Sequence, residues 1–540
     1  MPRADGVMRN HLPPLERQYL PLWGMLLVLP LCFLVSVFWL RHGGGPFWLW
    51  YLLDPSYFYL YDAVNLVNLN WPGHPYHPGT PVQVFGALVL KAVYPLTGGE
   101  AIADIVLADP EGHLRLISTA TVCVTAIGLV LVGAVAYRVF ESKVFALVLQ
   151  AAPFLSMVTL KNSYQVRPES FVIITMLMLM MVMVSAQRSG ALQSMRLRYA
   201  VAFGIVAGFG VAVKVISAPI YLLPLFLLGS FRALTVYAGI SFLALVVFTL
   251  PAFGSWDIFF NWMLKISTGT GAYGSGAVGF VDPDAYTKAV REIFGRPLLH
   301  APFVLGLTAL AVAAWKRHWN NDAKAVAGLC LAVLAQVLLV AKQPTANFMI
   351  PAYMMNALTI VMLVRLVAGF KFGGDVFRAR AGLVIRGLLC ILILAQPFSV
   401  KRLDKEQQFK HAEALRIDDN RFSQCARLYV FPASTQSFAL ALGDWWTGSR
   451  FGEKLAQTKP ANDFWFEQNT MDFRDWKGSR DAAKIIASYP CVYIRGTHWV
   501  HLSKHLKKAA PGFKVTATCP NRYEKVLLSG IDCAGKLVKK

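Results

Sequence analysis

The feature that most restricts this chain is its series of long apolar runs. A helix crossing a bilayer needs roughly 20 apolar residues, somewhat fewer when buried in a bundle. Such runs lie near 20–40, 115–137, 143–160, 166–187, 199–215, 217–231, 233–252, 298–315, 325–341, 347–368 and 381–399. They predict about eleven spans. Within lipid every backbone polar group must be satisfied inside the segment, so a polytopic bundle of helices, mainly α, is expected. Only 15% of residues are charged, against about 25% in an ordinary globular domain. That composition excludes a water-soluble enzyme. The first run is too long for a signal h-region and lacks a small-residue cleavage site, so it reads as the first span.

The formal net charge is +22. The basic residues form no stripe, so nucleic acid is not an expected partner. They cluster in alternate loops: Arg3, Arg9 and Arg17; Arg138 and Lys143; Arg188, Arg196 and Arg198; Lys316, Arg317 and Lys324; Lys371, Arg378 and Arg380. The positive-inside rule makes those loops cytoplasmic. The N-terminus is then cytoplasmic. The long first outer loop (41–114), the loop 253–297 and the chain beyond about 400 lie outside. Residues 199–231 could form one helix, but Lys214 and Pro219 interrupt the run, and a break there keeps the charge bias consistent. The glycine-rich stretch Thr268–Gly279 follows no strand, so it reads as a lid or plain linker rather than a dinucleotide-binding turn.

Near Ser399 the composition turns polar. Segments 426–434, 491–496, 513–518 and 523–529 read as strands, and 435–442 and 480–488 as helices. The expected organisation is a membrane domain over 1–399 and a small α/β extracytoplasmic domain over 400–540 that covers the active site or binds the acceptor. Cys425, Cys491, Cys519 and Cys533 fall in this domain. A Cys519–Cys533 pair across a short hairpin and four reduced thiols are equal alternatives.

The first outer loop holds the most informative residues. Asp54–Pro55 reads equally as a helix N-cap with Pro at N1 and as a catalytic base beside the bilayer. The following helix, rich in Tyr (Tyr57 among them), would lie in the interface. His74 and His77 stand in a stretch stiffened by Pro72, Pro75, Pro78 and Pro81. Their spacing would suit a metal only on a helix, which the prolines oppose, so an ordered turn with one functional His is the better reading. Arg115, Arg167, Glu169, Lys214 and Lys342 each fall near the outer end of a span. Singly, each reads as a snorkelling or paired charge. Together, four cations on the outer side oppose the inside bias and suit an anionic ligand such as a lipid phosphate. Gln343, Pro344, Asn347 and Pro351 read either as an ordinary helix start or as a pocket wall.

These motifs, in this order, resemble the GT-C superfamily of membrane glycosyltransferases. The nearest patterns are the lipid A aminoarabinose transferases and the protein O-mannosyltransferases. The matching stretches are LLDPSYFYLYDA around Asp54, Tyr76–Gly99, His113–Cys123, Ser163–Phe171, Gly208–Ile220 and Lys342–Tyr353, together covering roughly residues 20–370. The chain departs from the pattern at Pro55, where many relatives carry a second acid, and at Asn347 and Phe348, where Arg and Tyr are usual.

The resemblance implies an inverting glycosyltransferase of the bacterial cytoplasmic membrane. It would move a sugar from a polyprenyl-phosphate donor to an extracytoplasmic glycan, lipopolysaccharide or protein. Asp54 would be the base. Tyr57, His74, His77, Arg115, Arg167, Glu169, Lys214, Lys342 and Asn347 would bind substrate. No cofactor is required, although some members of the superfamily use a metal. The rival classes are a lipid-linked sugar flippase and a non-catalytic envelope scaffold. Neither internal repeats nor paired broken helices favour a transporter.

Overall fold

The computed structural model describes residues 16–370, 374–467, 470–498 and 500–538. Arg3, Arg9 and Lys371, counted among the expected cytoplasmic charges, lie outside the described residues. The chain is mostly helical, with a small C-terminal sheet domain. Among the described residues eight helices are long and apolar enough to cross a membrane: Leu22–Gly44, Pro110–Phe140, Pro168–Ala186, Ala191–Val213, Phe231–Thr268, Pro297–Trp315, Asn321–Ala341 and Ala346–Gly369.

Two other expected spans are broken, and a third lies within a longer helix. The run 143–160 divides into Lys143–Gln150, a 3₁₀ turn Ala152–Leu155 containing Pro153, and Met157–Ser163. The run 217–231 becomes a 3₁₀ segment Val215–Leu222 around Pro219 and one turn, Leu225–Leu228, after Pro224. Proline removes a backbone donor and its ring clashes with the preceding turn, so neither run stays one helix. The run 381–399 sits inside a single helix, Gly374–Leu415, which continues beyond the apolar residues towards the C-terminal sheet. The expected break after the 191–213 helix falls at Lys214, whose backbone is extended.

The stretch 41–114, expected as the first outer loop and so called below, is itself folded. It contains the helices Leu53–Val67, Thr80–Val93 and Gly99–Ala108. The loop between the first two is organised by Asp62. This buried carboxylate accepts from the backbone N–H of Gly73 (2.7 Å) and His74 (3.0 Å) and from Gln83 Nε2 (2.8 Å). Gly79, at φ +75°, turns the chain into the second helix through a left-handed conformation that a side chain would strain.

The C-terminal domain is built on a seven-stranded sheet. Its strands are β1 (Ala426–Val430), β2 (Asp463–Glu467), β3 (Asp472–Asp475), β4 (Gly478–Arg480), β5 (Val492–Gly496), β6 (Ala517–Cys519) and β7 (Lys525–Ser529). The spatial order is β4-β3-β2-β1-β5-β7-β6. β1 pairs parallel with β2 and β5, and the remaining pairs are antiparallel. The strands β2 to β4 escape the sequence reading because they are short and carry charges at their ends. Cys519 and Cys533 are joined, and so are Cys425 and Cys491, which precede the neighbouring strands β1 and β5.

This domain docks on the first outer loop. Asn65 Nδ2 donates to the carbonyl of Thr447 (3.0 Å), and Arg450 to that of Trp71 (3.0 Å). Lys454 reaches Glu100 (2.8 Å) and Asp104 (2.7 Å). A Cβ on Gly73 would come within 2.3 Å of the Thr447 backbone, so this contact needs glycine.

Candidate active site

A cavity of about 400 Å³ opens where the bundle, the first outer loop and the C-terminal domain meet. Its charged residues stand at the ends of elements. Asp54 precedes the regular part of the 53–67 helix, Arg167 and Glu169 flank the start of the 168–186 helix, and Lys214 follows the end of the 191–213 helix. His74, His77 and Asn347 complete the expected residues that line it.

Asp54 does not serve as an N-cap. Its backbone and that of Pro55 are non-helical, and no side-chain cap bond forms. No hydrogen bond to its carboxylate is made among the described residues, and the group is accessible from the cavity. The side chain is exposed to the cavity, but the surrounding protein still displaces much of its water. That desolvation pushes its carboxyl up to about 6, and the nearby Arg167 guanidinium only partly offsets the effect.

The cations form a chain of contacts. Lys214 Nζ donates to Glu169 Oε1 at 2.6 Å and lies 4.6 Å from the centroid of the Phe348 ring. Arg167 Nε is 3.8 Å from Glu169 Oε2, and its other end donates to Asn162 Oδ1. Asn162 in turn donates to Asn347 Oδ1 at 3.2 Å. Glu169, in the first turn of its helix, also sits where the macrodipole favours a negative charge. The Lys214 ammonium has three donors, and Glu169 takes one of them.

The two histidines are held differently. His77 is anchored through its carbonyl, which accepts from the Val215 N–H at 2.8 Å. Burial and the Lys214 ammonium push its imidazole down to about 3, so the ring is neutral at physiological pH. His74 packs among the rings of Phe58, Tyr76 and Trp446. Burial holds it well below the ordinary histidine range. Among the described residues no three His, Cys, Asp or Glu side chains gather as a metal-binding group.

Three expected residues lie outside the cavity. Arg115 is exposed, because Leu114, Ile117, Ser118 and Thr121 form the buried stripe of its helix and Arg115 falls off that face. Its carbonyl accepts from Arg41. Lys342 precedes the turn that sends Thr345, Asn347 and Phe348 inward. Its ammonium instead donates to the Ser267 carbonyl (3.0 Å) and lies over Phe280. Tyr57 is buried and donates to Glu111 Oε1 at 2.8 Å, so it ties the outer loop to the 110–140 helix.

The cavity also contains residues the sequence reading passed over. Trp262 and Tyr273 come from the 253–297 loop, where Gly269 bridges Val278 in a tight hairpin. Phe431 follows β1, and Trp446 ends the helix Gln436–Trp446. The Trp445–Trp446 pair, closing an otherwise ordinary helix in a polar domain, was the available signal.

No family model and no curated protein matches this sequence. Among solved structures, the chain is similar to the crystal structure of ArnT from Cupriavidus metallidurans bound to undecaprenyl phosphate. The TM-score is 0.47 at 11% sequence identity, over 94% of this chain and 98% of that one.

Proposed function

We propose that this cavity transfers a sugar from a polyprenyl-phosphate donor to an acceptor hydroxyl at the outer face of a bacterial cytoplasmic membrane. The observation that carries the reading is the unpaired Asp54 carboxylate sharing one cavity with Lys214 and Arg167. The acceptor oxygen attacks the anomeric carbon as the bond from that carbon to the phosphate oxygen breaks. Asp54 takes the hydroxyl proton, and the electron pair leaves with the lipid phosphate. Attack from the face opposite the phosphate inverts the anomeric centre.

The charges suit this step. With Asp54 ionised, two carboxylates balance two cations. Once Asp54 is protonated the same residues carry one net positive charge, as the departing phosphate gains a negative one. Fixed cations aimed at developing charge are an effective form of transition-state stabilisation. Neutral His77 beside Lys214 adds a hydrogen-bonding group without adding charge.

The test is transfer of label by the purified protein from polyprenyl-phosphate sugars to an envelope extract. The expected result is transfer that Asp54→Asn abolishes. Transfer from no donor, or undiminished transfer by Asp54→Asn, overturns the reading.

A further inference from the structure

The charged residues occupy one part of the cavity, and much of the rest of its wall is aromatic. Tyr76 is central to it. Its ring centroid lies 4.6 Å from His74, 5.0 Å from Trp262 and 5.3 Å from Trp446. Phe58 closes the cluster, 4.7 Å from His74 and 5.9 Å from Trp446. One cation touches the cluster: the Lys265 ammonium stands 5.5 Å from the Trp262 ring centroid, and it does not line the cavity. Phe58 lies one helical turn beyond Asp54, so the aromatic wall begins beside the carboxylate.

Two chemical facts narrow the occupant. Buried Trp and Tyr side chains ordinarily find partners for their N–H and O–H groups. Here the Trp262 indole N–H is buried without a hydrogen-bond partner, and the half-buried Trp446 indole N–H and Tyr76 hydroxyl, which line the cavity, make no hydrogen bond among the described residues. The wall also comes from the outer loop, the 256–268 helix and the C-terminal domain. An isoprenoid tail needs an aliphatic groove open to lipid, and a phosphorylated acceptor needs a cation lining this side, which Lys265, behind Trp262 and outside the lining, does not supply. Rings with polar edges match a pyranose instead: its C–H face rests on the ring and its hydroxyl rim meets the N–H and O–H groups.

We propose that this aromatic wall is the acceptor subsite, and that the acceptor is a glycan whose sugar ring lies against Trp446 and Tyr76. The proposal rests on the transferase reading above and names its second substrate. It gives the C-terminal domain a direct part in substrate choice, because Trp446 belongs to that domain.

The experiment has two arms on the full-length protein. In the first, neutral hexose oligosaccharides of two to four units are titrated without donor, by tryptophan fluorescence and saturation-transfer NMR. Saturable binding is expected, weakened tenfold or more in Trp446→Ala and Tyr76→Leu and partly kept in Trp446→Phe. In the second arm, transfer from a polyprenyl-phosphate hexose is compared between these oligosaccharides and Ser/Thr peptides. The acceptor KM is expected to rise at least tenfold in both variants while the donor KM moves less than twofold. Absent oligosaccharide binding, unchanged affinity in both variants, transfer to peptides alone, or equal rises in both KM values overturns the proposal. Should the wild type consume no donor, the transferase reading falls, and the binding arm still decides the wall. If Trp446→Ala does not fold, Tyr76→Leu and Trp262→Leu carry the comparison.

Discussion

Two buried ionic clusters, one in the C-terminal domain and one in the cavity, are assembled from the same residue types to different ends. In the domain, Arg495 donates to both oxygens of Glu524 (3.0 and 2.8 Å), to Asp419 (2.9 Å) and to the carbonyl of Ala414 (2.6 Å). Every guanidinium nitrogen has a partner, and the group ties the end of the 374–415 helix to β5 and to the loop before β7. In the cavity, Lys214 and Arg167 share one carboxylate, Glu169, and Asp54 is left without a partner. Desolvated charges are costly unless geometry and additional hydrogen bonds compensate them. The closed cluster meets that condition within the chain and specifies how two elements dock. The open cluster meets it only in part: two cations share Glu169, and Asp54 faces the cavity without a partner.

The comparison can be broken in several ways. Asp54→Asn should reduce transfer by roughly 10²–10⁴-fold, the usual contribution of a positioned base, with the melting temperature close to the parent's. A loss below tenfold would make Asp54 one more cavity carboxylate. Lys214→Met should cost about 10²–10³-fold in kcat, as removal of a donor from a charge-stabilising site does.

Arg495→Met should do the reverse. It leaves buried Glu524 and half-buried Asp419 without their cation, so stability should fall by about 3–5 kcal/mol, while turnover per folded molecule is retained. If Arg495→Met inactivates without destabilising, or Lys214→Met destabilises without inactivating, the distinction between sealed and open clusters fails.

A pH profile sharpens the same contrast. Asp54 acts as a base only when ionised, and its carboxyl titrates at about 6. Desolvation at the cavity sets that value, so kcat/KM should fall tenfold per unit below about pH 6 and level off above it. Any residual activity of Asp54→Asn should lack that limb. The smallest effect is expected at Asp62, eight residues along the same segment. Unlike Asp54, which is exposed to the cavity, it is fully buried, and its partners are all supplied by the 65–83 region. Asp62→Asn should cost on the order of 1–3 kcal/mol in stability, the range for leaving a buried donor unmet, and should leave the acid limb in place.

Residues at backbone interruptions were the most legible part of the site. Lys214 and Asn347 draw attention because proline and polar residues cut apolar runs there, and chain breaks at helix ends are where side chains can turn into a cavity. Arg115 carried the same outward signal, and only the rotation of its helix decided that it faces away. Lys342 lies on the wrong side of a turn whose direction no local pattern specifies. Asp62 went unnoticed because its role depends on backbone N–H groups more than ten residues later. Phe431, Trp446, Trp262 and Tyr273 were invisible as a group, since ring clusters drawn from three distant segments leave no periodic trace.

What the sequence determined by itself was the existence of a helical bundle, the polar C-terminal domain and the short list of charges placed at span ends. Those follow from the cost of polar groups in lipid, which acts on each segment locally. Tertiary structure alone decided which charges meet, because convergence depends on helix rotation, turn direction and docking contacts such as Gly73 against Thr447. These are set by packing between segments far apart in the chain, and packing has no signature in any one of them.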